Sequence, residues 1–155
     1  MTRFLADAMV ARLARWLRVL GYDTAYEPTL DDHALVALAA AEDRVLLTRD
    51  RHLLRELRPE RALEVRSDVP LEQLRAVVDA LALGPPGAPF TRCLVCNGAL
   101  HEVDAAEAAH VVPPDSRGLP GPVRRCPDCG RVYWPGSHVR RMRAALARAL
   151  PEWGW

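Results

Sequence analysis

The chain has no lysine: all of its positive charge, 21 residues in 155, is arginine. So complete an absence reads first as genome-wide codon bias, although arginine's planar fork does suit phosphate. Long apolar runs are missing too. Nothing approaches the roughly 18 uninterrupted apolar residues of a membrane span. Asp7 and Arg12 break the one candidate for a secretory leader, so a cytoplasmic location is expected. A charge excess is also lacking, and a net +1 argues against a strongly basic nucleic-acid binder. Cysteine is scarce, with four residues confined to 93–129, and in a cytoplasmic setting they are expected to stay reduced.

Half of the residues are apolar and about a quarter charged, as in ordinary soluble domains. The length suits one domain and a small module rather than two large cores. The near-zero net charge hides a division. Residues 1–83 carry −2 and residues 84–155 carry +3, which falls to about +1 once four thiolates hold a dication. Between the halves, Gly84-Pro85-Pro86-Gly87-Ala88-Pro89 continues neither helix nor central strand, so 84–90 reads as a linker. A second such loop runs from Pro113 to Pro122. The expected layout is therefore a domain over 1–83, the linker, and a module over 91–155.

In the first half, strand and helix patterns alternate. Arg3 to Ala6 is a short apolar run ending at Asp7. Met9, Leu13, Trp16, Leu17 and Leu20 fall at helical spacing, with Gly21 as the stop. Tyr22 to Tyr26 suits a second strand, and Asp31 or Asp32 can cap a helix reaching about Glu42. Arg44 to Thr48 is the clearest strand, ending at Arg49-Asp50. A short helix, a strand near Leu63-Glu64-Val65 and a helix from about Pro70 to Leu83 complete the half. Strands separated by helices predict an α/β layered fold, with right-handed crossovers and a mainly parallel sheet covered on both faces.

The cysteines form two knuckles, Cys93-x2-Cys96 and Cys126-x2-Cys129, 29 residues apart. Each Cys-x-x-Cys turn points two sulfurs at one spot, and two knuckles complete a tetrahedron of thiolates for structural Zn²⁺ with no open position. Gly130 after the second knuckle allows the tight backbone that brings amides towards sulfur. Two disulfides, a redox pair or an iron–sulfur cluster are the competing readings. A reducing compartment weighs against the first, and the doubled motif against the second. Such a ribbon can grip nucleic acid, dock a protein or simply staple the fold.

In an open parallel sheet, ligands bind beyond the carboxyl ends of the strands. Asp7 follows the first strand, Asp50 follows the third, and Asp32 opens the intervening helix. Converging there, the three would make a hard-oxygen site for Mg²⁺ or Mn²⁺, suited to phosphodiester hydrolysis. Helix capping is the ordinary alternative for Asp32 and Asp50. Asp7, at the end of a buried strand, needs a metal or a partner, and Arg49 is available. Arg12, Arg15 and Arg18 form a stripe on the first helix that can contact an RNA backbone or simply face water.

On these residues the chain resembles the Mut-seven C-terminal RNase domain family over nearly its full length. The resemblance is carried by Phe4-Leu5-Ala6-Asp7, Leu13 to Arg18 with Leu20-Gly21-Tyr22-Asp23, and Asp32 leading into a helix. It continues through Leu46 to Asp50, Cys93 to Asn97, Cys126 to Gly130, Tyr133-Trp134 and Gly136-Ser137-His138. It implies a PIN-like three-layer nuclease domain followed by a zinc ribbon with a C-terminal helix, and a metal-dependent ribonuclease. Asp7, Asp32 and Asp50 match its catalytic metal ligands, with Asp31 the substitute for Asp32; Arg12, Arg15, Arg18 and Arg49 are the candidates, from the residues themselves, for contact with RNA. One departure stands out: His33-Ala34 follows Asp32 where similar proteins often carry another acid. The competing expectation is a non-catalytic RNA- or protein-binding module on the same fold.

Overall fold

Four short apolar stretches, each three or four residues long, are the strands of one sheet in a computed structural model that describes residues 1–155. They are β1 (Phe4–Ala6), β2 (Thr24–Tyr26), β3 (Val45–Thr48) and β4 (Ala62–Glu64). All pair in parallel, in the order β2-β1-β3-β4. Between them run α1 (Ala11–Val19), α2 (Asp32–Ala41) and α3 (Arg51–Leu57), and α4 (Pro70–Ala80) follows β4. The chain divides into two units, Met1–Phe90 and Thr91–Trp155. The first includes the proline-rich stretch, whose Phe90 amide donates to the Val19 carbonyl at 2.8 Å.

The strand order fixes the layers. From β1 the chain steps to β2 on one side, whereas from β3 it steps to β4 on the other. Right-handed crossovers then send α1 to one face of the sheet and α2 and α3 to the opposite face. Packing agrees, since α1 lies against α4 and α2 against α3. Side chains alternate across a strand. Leu5 and its register partner Leu46 join Leu35, Ala39 and Leu53 in one buried cluster between the sheet and α2 and α3. Phe4, Ala6, Val45 and Leu47, on the other side of the pleat, are buried as well. Both central strands are thus buried throughout, and apolar but for Thr48, as a sheet covered on two faces requires.

The entry to α1 differs from the expected single helix. Asp7 starts a 3-10 turn over Ala8–Val10, and only then does α1 begin. Met9 therefore leaves the apolar stripe and is 65% exposed. Arg18 corrects the expected arginine stripe: it is 5% exposed, and its Nε donates to the Thr24 carbonyl at 2.9 Å. Its role is to tie α1 to β2, whereas Arg12 and Arg15 stay on the surface.

At the amino end of the sheet, buried Arg44 bonds the Asp23 carboxylate at 2.7 Å and the Phe4 carbonyl at 3.1 Å. It also pairs with Glu42. Removing one partner of such a pair strands the other, at about 3–5 kcal/mol when both are fully buried. Asp23 and Glu42 are partly solvated. We expect Arg44→Ala to cost about 2–3 kcal/mol in urea unfolding, with little effect on chemistry at the opposite edge.

The second unit carries a small antiparallel sheet of β5 (His101–Glu102), β6 (Arg124–Arg125) and β7 (Val132–Tyr133). Two helices complete it, α5 (Ala105–Val111) and α6 (Ser137–Ala149), of which α5 has no counterpart in the sequence reading. Besides two cysteines, its buried apolar residues are only Leu94, Val112, Leu146 and Leu150. No helix in the chain is long and apolar enough to cross a membrane.

Candidate functional site

Two sites emerge, one in each unit. In the second, Cys93, Cys96, Cys126 and Cys129 bring their sulfurs within 4.8 Å of one another. Each knuckle closes in the same way. The Cys93 amide donates to Gly98 and the Asn97 amide to Cys93, at 2.8 and 3.0 Å. Correspondingly, the Cys126 amide donates to Arg131 and the Gly130 amide to Cys126, at 2.8 and 2.9 Å. The residue after each second cysteine is left-handed: Gly130 at φ 77°, and Asn97, a side chain that tolerates this region, at φ 69°.

The sulfurs fit zinc. Cys93 and Cys129 lie 3.6 Å apart and Cys96 and Cys126 3.3 Å apart, and all four are free thiols. A disulfide requires about 2.05 Å. A tetrahedron with bonds of about 2.3 Å separates its sulfurs by about 3.8 Å, close to what is seen. Burial opposes ionisation of Cys93, but the amides of Cys96 and Val95 and the Tyr133 hydroxyl outweigh it and draw the thiol down to about 6. Burial pushes Cys96 up to about 12, and the neighbouring thiols add to it. Tyr133, 3.1 Å from the Cys93 sulfur, also accepts the Leu94 amide at 3.1 Å and so orients the first knuckle from outside.

Gly98 is required by space rather than by torsion. A methyl group there would lie 3.0 Å from the Cys126 sulfur and 2.3 Å from the Asp128 carboxylate. The carboxylate can swing away, but the Cys126 sulfur is fully buried and packed among the other three. We expect Gly98→Ala to weaken zinc binding about 10–100-fold, as outer-shell changes commonly do, measured by competition with a chelating dye.

The first unit holds the acidic edge. The connections out of β1 and β3 run to opposite sides of the β1/β3 boundary, so the crevice of this sheet opens at the carboxyl ends of those two strands. Asp7 and Asp50 stand there. The Asp7 amide donates to Leu47 across the strand boundary at 3.1 Å. One Asp7 carboxylate oxygen accepts the Met9 amide at 2.9 Å, and the other accepts the hydroxyl of Thr48. That same hydroxyl accepts the Asp50 amide at 2.9 Å. Thr48, fully buried, therefore couples the two acids. Thr48 is absent from the residues expected at this edge; a threonine at the end of an apolar strand, two residues before an aspartate, is the sequence signal that marks it.

Asp50 is the N-cap of α3, its Oδ1 accepting the His52 and Leu53 amides at 2.8 and 3.0 Å. Its Oδ2 has no hydrogen-bond partner in the protein. Asp31 rather than Asp32 caps α2, accepting the Ala34 amide at 2.8 Å. Asp32 lies in the first turn, exposed, and its carboxylate makes no bond to the protein. The capping alternative thus describes one oxygen of Asp50 and not Asp32 at all. Arg49 does not partner Asp7, whose bonds go to Thr48 and Met9. The three acids are not gathered as closely as the cysteines, which are the one group of three or more ligand side chains within 4.8 Å.

No curated protein and no solved structure matches the chain. A family model described as the Mut7-C RNAse domain does, over residues 2–146. That span takes in the acidic edge and both knuckles, and with nearly the whole chain matched the protein belongs to the Mut7-C RNAse domain family.

Proposed function

We propose that the protein is a metal-dependent ribonuclease, hydrolysing RNA phosphodiester bonds at the edge formed by Asp7, Asp50 and Asp32, with the cysteine ribbon as a structural zinc module. One observation carries this reading within a nuclease-like family: a single buried hydroxyl couples two carboxylates at the switch point of a parallel sheet. Carboxylates are hard-oxygen donors that suit Mg²⁺ or Mn²⁺. Asp7 and Asp50 would hold such an ion with Asp32, and it would polarise the phosphoryl oxygen and acidify bound water.

The protein's own contribution is preorganisation. Asp7 is 8% exposed, with both oxygens fixed, so it keeps one geometry. Asp50 is clamped through Oδ1 by two helix amides, which leaves Oδ2 without a protein partner. Asp32, unbonded, can hydrogen-bond water at the rim. Hydrolysis joins a water oxygen to phosphorus and breaks one P–O ester bond. The excess charge grows on phosphate, where Arg12, Arg15 and Arg49 supply cations close by in sequence.

A second reading, a non-catalytic RNA- or protein-binding module, is favoured by one fact: Asp7 and Asp50 both spend oxygens on capping, and the three acids form no closed cluster. An RNA cleavage assay on zinc-loaded protein, with and without Mn²⁺, separates the two. Products that require Mn²⁺ support the ribonuclease; folded protein with one zinc and no products in Mg²⁺ or Mn²⁺ overturns it.

A further inference from the structure

Next to the acidic edge is a hollow of about 350 Å³, lined by Arg51, Leu54, Arg55, Glu64 and Arg66. Three of its five side chains are cationic and one is acidic. Arg51 and Arg55 lie one helical turn apart on α3 and so share a face. Arg66 follows β4, and Leu54 is half-buried between them. Arg51 and Arg66 are largely solvated, at 70% and 77%.

Glu64 organises this hollow. Its carboxylate accepts Nε of Arg51 at 2.6 Å and faces Nε of Arg66 at 3.6 Å. It therefore holds two guanidinium groups by their inner nitrogens and leaves the outer Nη pairs of both without a protein acceptor. Arg–carboxylate pairs are frequently bidentate, with two N–H groups of the fork engaged. Here the forks stay open, and the three arginines outnumber the single acid.

The location gives the hollow a purpose. Arg51 directly follows Asp50, and Glu64 is in register with Thr48, whose hydroxyl binds Asp7. Adjacent strands stand about 4.8 Å apart, so two strand steps put the backbone of Glu64 about 10 Å from that of Asp7. Resting on the ribonuclease reading for the identity of the ligand, we infer that Arg51, Arg55 and Arg66 form a phosphate-binding groove. It holds the backbone of single-stranded RNA beside the scissile bond, with Glu64 as the residue that orders it.

Binding is measured by fluorescence anisotropy of a labelled single-stranded RNA, using the zinc-loaded full chain with no added Mg²⁺ or Mn²⁺. Changing Arg51, Arg55 and Arg66 together to alanine should weaken binding at least tenfold. Losing three phosphate contacts should flatten the plot of log K against log salt by about 2. The triple lysine variant should recover much of the affinity, because lysine still meets phosphate as a point charge. Arg61→Ala, at the opposite end of β4, should bind as wild type. Should the triple variant misfold, Arg66→Ala alone keeps the test open, since Arg66 contributes only one long ion pair.

Wild-type affinity and salt slope in a folded triple variant overturn the groove, as does wild-type protein that binds no RNA. Lost binding in the variant, with no cleavage by wild type in Mn²⁺, leaves the groove standing and removes the nuclease reading. Mn²⁺-dependent cleavage with an unchanged KM in the triple variant does the reverse.

Discussion

Replacing Asp50 by asparagine leaves a folded, zinc-loaded protein that no longer cleaves RNA. The prediction is sharp because this substitution separates two duties of one side chain. Asparagine caps a helix about as well as aspartate. Its carbonyl oxygen can still accept the His52 and Leu53 amides, so α3 keeps its start. What disappears is the charge and the ligand character of Oδ2. Changes in outer-shell partners of a metal commonly cost 10–100-fold, so loss of a direct ligand should lower kcat/KM by more than about 100-fold. The thermal midpoint should move by no more than a few degrees. Cleavage at the wild-type rate by Asp50→Asn would sink the catalytic assignment. A large fall in the melting temperature would instead mark Asp50 as structural.

Stripping the metal has the second large effect. The unit from Thr91 to Trp155 buries only four apolar side chains beyond its cysteines, too few to offset the ordering of 65 residues. Structural zinc contributes on the order of 10–16 kcal/mol in small peptides, enough to decide whether such a unit folds. Chelation, or Cys126→Ser, should therefore remove the single zinc and abolish amide protection across 91–155. Protection in the sheet of the first unit should persist, because that unit has its own core. Hydrogen exchange read by mass spectrometry makes the comparison within one sample. Retained protection in both units after metal removal would refute the structural role of the ion. Acid acts in the same direction as the chelator. Cys96, pushed up to about 12 without metal, must surrender its proton for zinc to bind, so falling pH favours release.

How much of this was readable beforehand depended on the range of the signal. β1, β3 and the two knuckles were legible because their patterns are local: an apolar run closed by aspartate, and a fixed Cys-x-x-Cys spacing. The family resemblance read from those same segments is the family found by comparison. Arg18 was misplaced because helical periodicity says which face a side chain occupies, not whether β2 passes over that face. Met9 failed for a related reason: the Asp7 cap tightens the first turn to 3-10 geometry and rotates the stripe away. The choice between Asp31 and Asp32 as cap was open in the sequence, since both residue types suit it. Thr48 was invisible because its two bonds span 41 residues in one case and two in the other, and only the β1–β3 pairing unites them.

The sheet separates its labours by edge. The Arg44 clamp with Asp23 and Glu42 gathers at the amino ends of the strands, whereas Asp7, Thr48 and Asp50 gather at the carboxyl ends. Under selection the two ends should therefore drift under different constraints. Stabilising replacements should accumulate around the clamp without touching turnover, while the opposite rim, where the proposed hydrolysis would take place, should tolerate few. A saturation library scored once for abundance and once for cleavage should divide along this axis, which makes the clamp end the place to begin engineering a hardier protein.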